Sequence, residues 1–507
     1  MDLHADYVVV GAGSAGSVIA RRLVERTDAT VLVLEAGGRD RNSAIHDPLR
    51  MHELWHSPED WDYFTIPQRH AAGRRLHLPR GRVLGGSHAL NATIWVRGNP
   101  ADYDEWAALG NAGWAWPDVE PLFRRIERYD RDLCGGKGTE GLLDVLTAFE
   151  PDPVHRDILL AAAQAGVPAN PDHNSGTQDG AGPVHFTIRA GRRLTTADAY
   201  LKPILDRHRL TLCTGARVHR VNVLRGRASG VSGTIDGEPF TATATTEVIA
   251  AAGAIDSAAL LLRSGIGPAV ELRAVGVDVV ADLPGVGRNL TDHWLVPVIF
   301  GAQRHITHAC GLPPAQTQLF WRSDPALDRP DLQPLHFSVP LYESWMSGPD
   351  NGFTLLAGLV RPGSRGWLRI TGPEDRPPLI DPNVLDDLAD EQRLVEAVRL
   401  CREIGAAPAL RGWGPTERYP GPEVRDAHAL RDYVRRTVLT YHHVSGTCRM
   451  GIGPDAVVDP ELRVRGLAGL RVADASVLPR ITTGNTNAPT ILVAERAADL
   501  LSRGSPR

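Results

Sequence analysis

The chain has 507 residues, 42% of them apolar and 23% charged, with a formal net charge of -5, a balance that fits a globular protein with more than one core. No long basic run is present, which excludes a binder of nucleic-acid backbones. No stretch nears the roughly 18 consecutive apolar residues of a membrane span. Cys134, Cys213, Cys310, Cys401 and Cys448 are scattered without a CxxC pair, so free thiols and no metal site are expected. Residues 1–6 carry neither a positive leader nor an apolar run, and a cytoplasmic location is expected.

Tyr7-Val8-Val9-Val10 reads as a short strand buried on both faces. Gly11, Gly13 and Gly16 follow at G-x-G-x-x-G spacing, and a helix over 14–25 is predicted from Val18, Ile19 and Leu23. Gly11 permits a tight turn, Gly13 lets backbone approach a pyrophosphate, and Gly16 lets the helix pack closely on the strand. The helix start at Ser14 and Ala15 directs free N–H groups at phosphate. A second strand over 30–34 ends in Glu35, next to Ala36, where a carboxylate accepts hydrogen bonds from a ribose 2′-OH. That carboxylate repels a 2′-phosphate, so NADP is disfavoured despite Arg39 and Arg41, and FAD and NAD remain.

The βαβ pattern then stops. Residues 37–141 are rich in Trp and Gly, with helices expected over 100–109 and 116–128. Within them, residues 81–91 form a second glycine-rich loop, either a surface turn or a backbone that lies against a flat ligand. Segments 200–204, 210–214, 217–224 and 247–251 read as strands, the last entering a helix at Gly253 whose small residues suit close packing. From about 300 to 440 the chain has more prolines, alternating runs at 335–341 and 353–360, and a helix over 390–404, the pattern of a second domain.

Near the C-terminus, Tyr441-His442-His443-Val444-Ser445-Gly446-Thr447 places two histidines before a turn. Adjacent residues in extended chain point to opposite faces, so at most one should face a given site. An imidazole neutral near pH 7 can accept a proton, as alcohol oxidation requires, and a structural hydrogen bond is the other reading. A polar turn over 482–490 leads into an amphipathic helix over 491–501, with a short tail past Ser502. That turn is either a capped loop or a source of amides for the same cleft.

Six blocks in this order resemble the glucose-methanol-choline (GMC) family of FAD-dependent oxidoreductases: the Gly11 turn, the Gly81 loop, the Gly253 helix, residues 284–293, the His443 segment and the Asn485 turn. The resemblance runs from Tyr7 to about Leu501. It implies an α/β fold in which a Rossmann-like FAD-binding domain (1–150, 195–300 and 441–507) is interwoven with an α+β substrate-binding domain (151–194 and 301–440) built on an antiparallel sheet. It also implies that Gly11, Gly13, Ser14, Ala15, Gly16, Glu35 and Ala36 hold the ADP half of FAD. Val83, Gly86, Ser87 and Asn91 would approach the flavin, Val218 the adenine, and Asp474, Ala475 and Asn487 the remaining cofactor. Counting back from Gly446-Thr447 selects His443 as catalytic, with Asn485 as its partner.

Some members attach FAD through a histidine immediately before the loop asparagine. Leu90 stands there, so non-covalent FAD is expected, and His88 is two residues away. The resemblance implies a small alcohol as substrate and oxygen or another electron acceptor. A redox-silent lyase that retains FAD is the alternative, followed by a FAD-bearing binding protein. An NAD-dependent two-nucleotide reductase would need a second strand–GxGxxG–helix unit, which residues 265–267 and 285–287 do not supply. Which of Trp321, His336, Phe337, Tyr342, Trp345 and Met346 face the flavin is open from sequence order.

Overall fold

The structure is a computed structural model and describes residues 1–503; the expected tail past Ser502 falls mostly outside them. β1 (Asp2–Val10), α1 (Ser14–Arg26) and β2 (Val31–Glu35) form the expected unit. Every residue of β2 is buried, as in a strand covered on both faces. These strands lie inside a seven-stranded sheet of order Leu210–Thr214, β2, β1, Glu238–Ala250, Arg227–Ile235, Ala216–Leu224. The first four pair parallel and the last three antiparallel. Glu238–Ala250 serves two neighbours on one side, Arg227–Ile235 along its first half and Leu470–Val472 along its second. Chain from near the C-terminus thereby completes a sheet begun at residue 2.

The second sheet is antiparallel: Thr416–Tyr419, Trp294–Gly301, Gly352–Leu359, Leu335–Phe337, Ala315–Phe320, Gly180–Pro183. Its side chains alternate with the period of two that a pleated strand imposes. Trp294, Val296, Val298, Phe300, Leu355, Ala357 and Leu359 pack with residues of the helices Leu388–Ala406 and Ala427–Thr437. Leu295, Leu335, Phe337 and Leu356 belong to a different cluster on the opposite face. That face borders the cavity described below.

Two expectations are corrected. Residues 200–204 are not a strand: Ala197–Leu201 and Lys202–Ile204 are short helical turns, where Ala197, Tyr200, Leu201 and Ile204 bury at helical spacing and Pro203 has no N–H for a ladder. The helix over 116–128 ends at Ile126, and Glu127–Tyr129 pairs with Leu143–Val145. Trp294–Gly301, just before the expected boundary at 300, pairs with Gly352–Leu359 inside the second sheet and is buried throughout.

Candidate active site

One continuous cavity of about 1090 Å³ is lined by residues of both sheets, slightly above the roughly 300–1,000 Å³ usual for small-molecule sites. Gly11, Gly13, Ser14, Ala15, Glu35, Ala36 and Val218 line one end, and His443 and Asn485 the other. Gly11 has φ +102°, and a Cβ there would lie 2.5 Å from the Ala251 carbonyl oxygen. Gly16 does not line the cavity; a Cβ on it would sit 1.9 Å from the Gly11 carbonyl oxygen, so its part is to let α1 close on the turn.

The Gly81 loop is no surface turn. Gly85 N donates to Ala12 O at 3.0 Å, and a Cβ on Gly86 would lie 2.7 Å from Gly13 Cα, so two glycine backbones cross in contact. Gly86, Ser87 and Asn91 line the cavity. Val83 does not: its side chain is buried with Ile45, Leu54, Ala89 and Leu90, because the residue sits before the turn and faces away from it. Leu90 borders the cavity and offers no nucleophile. His88 is buried, bonding Thr187 Oγ1 at 3.0 Å and accepting from Thr196 N at 3.3 Å, which makes it a structural group.

The polar groups at the nucleotide end suit a dinucleotide. Glu35 accepts from Ala12 N and Gly37 N, each at 2.8 Å, and each oxygen keeps a lone pair for a ribose hydroxyl. Burial raises its pKa to about 7, against those two hydrogen bonds. Asp474 accepts from Gly253 N and Ser257 Oγ through one oxygen and from Ser476 N through the other. Ser14 Oγ donates to Asn487 Oδ1 at 2.8 Å, while the buried Asn487 Nδ2 has no protein partner. Bare glycine backbone, a helix N-terminus and that unsatisfied donor fit FAD.

At the other end, Asn485 Nδ2 lies 3.2 Å from His443 Nε2, and Asn485 Oδ1 accepts from Gln333 Nε2 at 3.0 Å. His443 Nδ1 lies 2.9 Å from His293 Nδ1. An amide nitrogen only donates, so His443 Nε2 carries the lone pair and Nδ1 carries the proton, which it donates to His293 Nδ1. His293 is then protonated on Nε2, which faces the carbonyls of Val360 and Thr482, contacts short of full hydrogen-bond geometry. Burial, then the neighbouring His293, His442 and Arg80, holds the His443 pKa well below 6.5.

Asp292 anchors this backbone. It accepts from His443 N at 2.7 Å, from His293 N at 2.8 Å and from the Thr440 hydroxyl, and burial raises its pKa to about 6. The Tyr441 ring stacks on His443 at 4.6 Å and 16°. His442 also lines the cavity, against the expectation from extended chain: its φ is 65°, and this left-handed residue breaks the alternation. Its carbonyl accepts from Arg80 Nη1 at 2.8 Å, and its ring meets the Trp55 ring edge-on at 5.1 Å.

His293, Gln333 and Asp292 were missed as site residues. Asp292-His293 stood inside one of the recognised blocks, whereas Gln333 carries no sequence signal. Of the six aromatic, histidine and methionine candidates in the second domain, Phe337 and Tyr342 line the cavity. Beside its mouth, His56, Asp62 and His77 bring three ligand-type atoms within 4.8 Å. His56 Nδ1 and His77 Nε2 both contact Asp62 Oδ1, at 2.6 and 3.1 Å, and the two imidazoles stack at 3.9 Å and 23°.

A nucleotide-binding βαβ unit whose cavity ends on an imidazole and an amide defines a dinucleotide-dependent oxidoreductase. The chain belongs to the GMC oxidoreductase family: the N-terminal family domain matches residues 5–295 and the C-terminal domain residues 362–494. It is 38% identical to the oxygen-dependent choline dehydrogenase of Vibrio vulnificus, over 100% of this chain and 96% of that protein. Pyridoxine 4-oxidase from Mesorbium loti superposes with a TM-score of 0.94 at 37% identity, covering 97% of this chain and 98% of that one. A formate oxidase variant of Aspergillus oryzae superposes with a TM-score of 0.91 at 26% identity, over 99% and 98% of the two chains. The chain is thus an FAD-dependent oxidoreductase of the alcohol-oxidising type. Among the described residues no helix is long and apolar enough to cross a membrane.

Proposed function

We propose that the chain oxidises an alcohol to an aldehyde or ketone, with His443 as general base and Asn485 as a donor to the same substrate oxygen. The observation that carries this reading is the 3.2 Å His443–Asn485 pair, held in one tautomer at the end of a cavity that begins at the glycine turn. Bound FAD, non-covalent beside Leu90, supplies the hydride acceptor. The lowered His443 pKa keeps Nε2 unprotonated at neutral pH, and an alcohol oxygen that displaces the Asn485 amide from its lone pair can pass it the hydroxyl proton. Asn485 Nδ2 orients the oxygen that loses it. His293 Nδ1 then accepts from a cationic donor, a stronger hydrogen bond than the neutral one it replaces. General-base help of this kind is worth about 10²–10⁴-fold. The sheet around β1 carries the cofactor, the second sheet covers the substrate, and oxygen or another acceptor takes the electrons.

A retained but redox-silent flavin, as in a lyase, is the competing reading. Mixing the holoenzyme anaerobically with a panel of alcohols separates the two. Bleaching of the yellow flavin is expected, reversed on admission of oxygen or a dye. A flavin that stays oxidised with every alcohol rejects the proposal.

A further inference from the structure

Building on the alcohol-oxidising reading, we infer that Gln333 is a positioning residue for the base: its amide donates to Asn485 Oδ1 and so holds the Asn485 amide with its N–H end toward His443 and the substrate oxygen. Gln333 is fully buried and does not line the cavity. It therefore acts through Asn485.

An asparagine amide has a donor end and an acceptor end of nearly the same shape. With Nδ2 toward His443 Nε2, the imidazole keeps a lone pair on that nitrogen. With Oδ1 in that place, His443 would have to donate, its proton would sit on Nε2, and no base would face the alcohol. Shape alone hardly separates the two arrangements, so the choice falls to the partner at the other end of the amide.

That partner is Gln333 Nε2, 3.0 Å from Asn485 Oδ1 and 2.9 Å from Gln318 Oε1. Its two N–H groups thus meet two carbonyl oxygens, while the buried Gln333 Oε1 has no partner. If the Gln333 amide alone turned over, Oε1 would face both of those oxygens, and buried acceptors left without donors are costly. Reversing Asn485 therefore requires Gln333 and Gln318 to reverse with it. The backbone of Gln333 is fixed as well. Its N–H donates to Gly358 O at 2.8 Å, and its carbonyl accepts from the Tyr441 hydroxyl at 3.4 Å. Tyr441 is the ring stacked on His443, so one side chain braces both the base and the residue that orients its partner. Because Gln333 binds Oδ1, its bond can persist while Nδ2 passes from the imidazole to the alcohol oxygen. Donation to Oδ1 also polarises the amide and strengthens Nδ2–H as a donor to an oxygen on which negative charge develops.

The test follows anaerobic flavin reduction by benzyl alcohol, 1-hexanol and choline in holoenzyme carrying Gln333→Met, which keeps the length but has no N–H, or Gln333→Glu, which keeps the shape. Bound flavin and thermal unfolding are expected to stay near wild type. Gln333→Met should lower the limiting reduction rate by about 10-fold or more, with little change in the alcohol concentration that gives half of it, because Gln333 touches no substrate. Gln333→Glu should add a pH signature: the protonated acid can donate to Asn485 Oδ1, whereas the carboxylate can only accept and turns Nδ2 away from His443. Its rate relative to wild type should exceed that of the Met variant in acid and fall as the pH rises. A Met variant within a few-fold of wild type overturns the inference. Two variants equally slow at every pH, or both without flavin, overturn it too, since Gln333 would then serve packing alone. Asn485→Ala at the wild-type rate, or a wild-type flavin unreduced by all three alcohols, counts against the alcohol reading on which the inference rests.

Discussion

The two ends of the cavity are built by different means. The turn at the nucleotide end comes from nearly contiguous chain, residues 7–16 and Glu35, and its work is done by backbone, bare Cα atoms and N–H groups braced by one carboxylate, with Val218, Asp474 and Asn487 added from later segments. The base end is assembled from side chains brought together across 42 to 152 residues of sequence. Backbone geometry is specified by local residue type. A tautomer is specified only by what stands around the ring.

This contrast can be broken at either end. The largest effect is expected from Gly16→Val, whose Cβ would lie 1.9 Å from the Gly11 carbonyl oxygen; with overpacking costing about 1–3 kcal/mol or more, the purified protein should lose its yellow flavin and all turnover. Retained flavin absorbance would show that the turn tolerates a side chain. Next is His443→Ala, which should keep FAD while anaerobic flavin reduction slows by about 10²–10⁴-fold. In the wild type, a base with a lowered pKa is unprotonated at and above 6.5. Its kcat/KM should therefore be level from 6.5 upward and fall only in more acidic solution, and an acidic limb centred at 6.5 or higher contradicts the burial argument.

A smaller effect separates position from chemistry. His293→Leu removes the acceptor of the His443 Nδ1 proton, and should cut kcat about 10–100-fold, the worth of one hydrogen bond to a charged group. His293→Asn, whose Oδ1 can take the place of Nδ1, should restore most of that rate and return the pH profile. Equal losses in the two variants would reduce His293 to packing. The smallest change is expected for His442→Ala, which leaves the His443–Asn485–His293 bonds intact: kcat within a few-fold of wild type, with a stability loss of about 1–2 kcal/mol for a left-handed residue without a polar side chain, read from thermal unfolding.

Much of the molecule was legible in order along the chain. The β1–α1–β2 unit, its glycines and Glu35 follow from residue types whose conformational demands are local. The family resemblance, counted back from Gly446-Thr447, selected His443, but that count does not explain why His442 also reaches the cavity. That depends on a left-handed backbone at His442, which the alternation rule for extended chain does not anticipate. The resemblance placed Val83 among the cofactor contacts, and its side chain packs into a separate apolar cluster, which sequence order does not show. The segment 200–204 looked like a strand because a short apolar run carries no period of its own, and packing decided it.

By itself, then, the sequence determined the cofactor class and the path of the chain around it, because a turn with positive φ, a close backbone approach and a helix start each admit few residue types. Tertiary structure decided which imidazole nitrogen is the base, which charge stands beside it and what surface the alcohol meets. Those properties belong to neighbours in space: Gln333, His293 and Arg80 act on His443 from separate segments, and only the folded arrangement of two sheets brings them together.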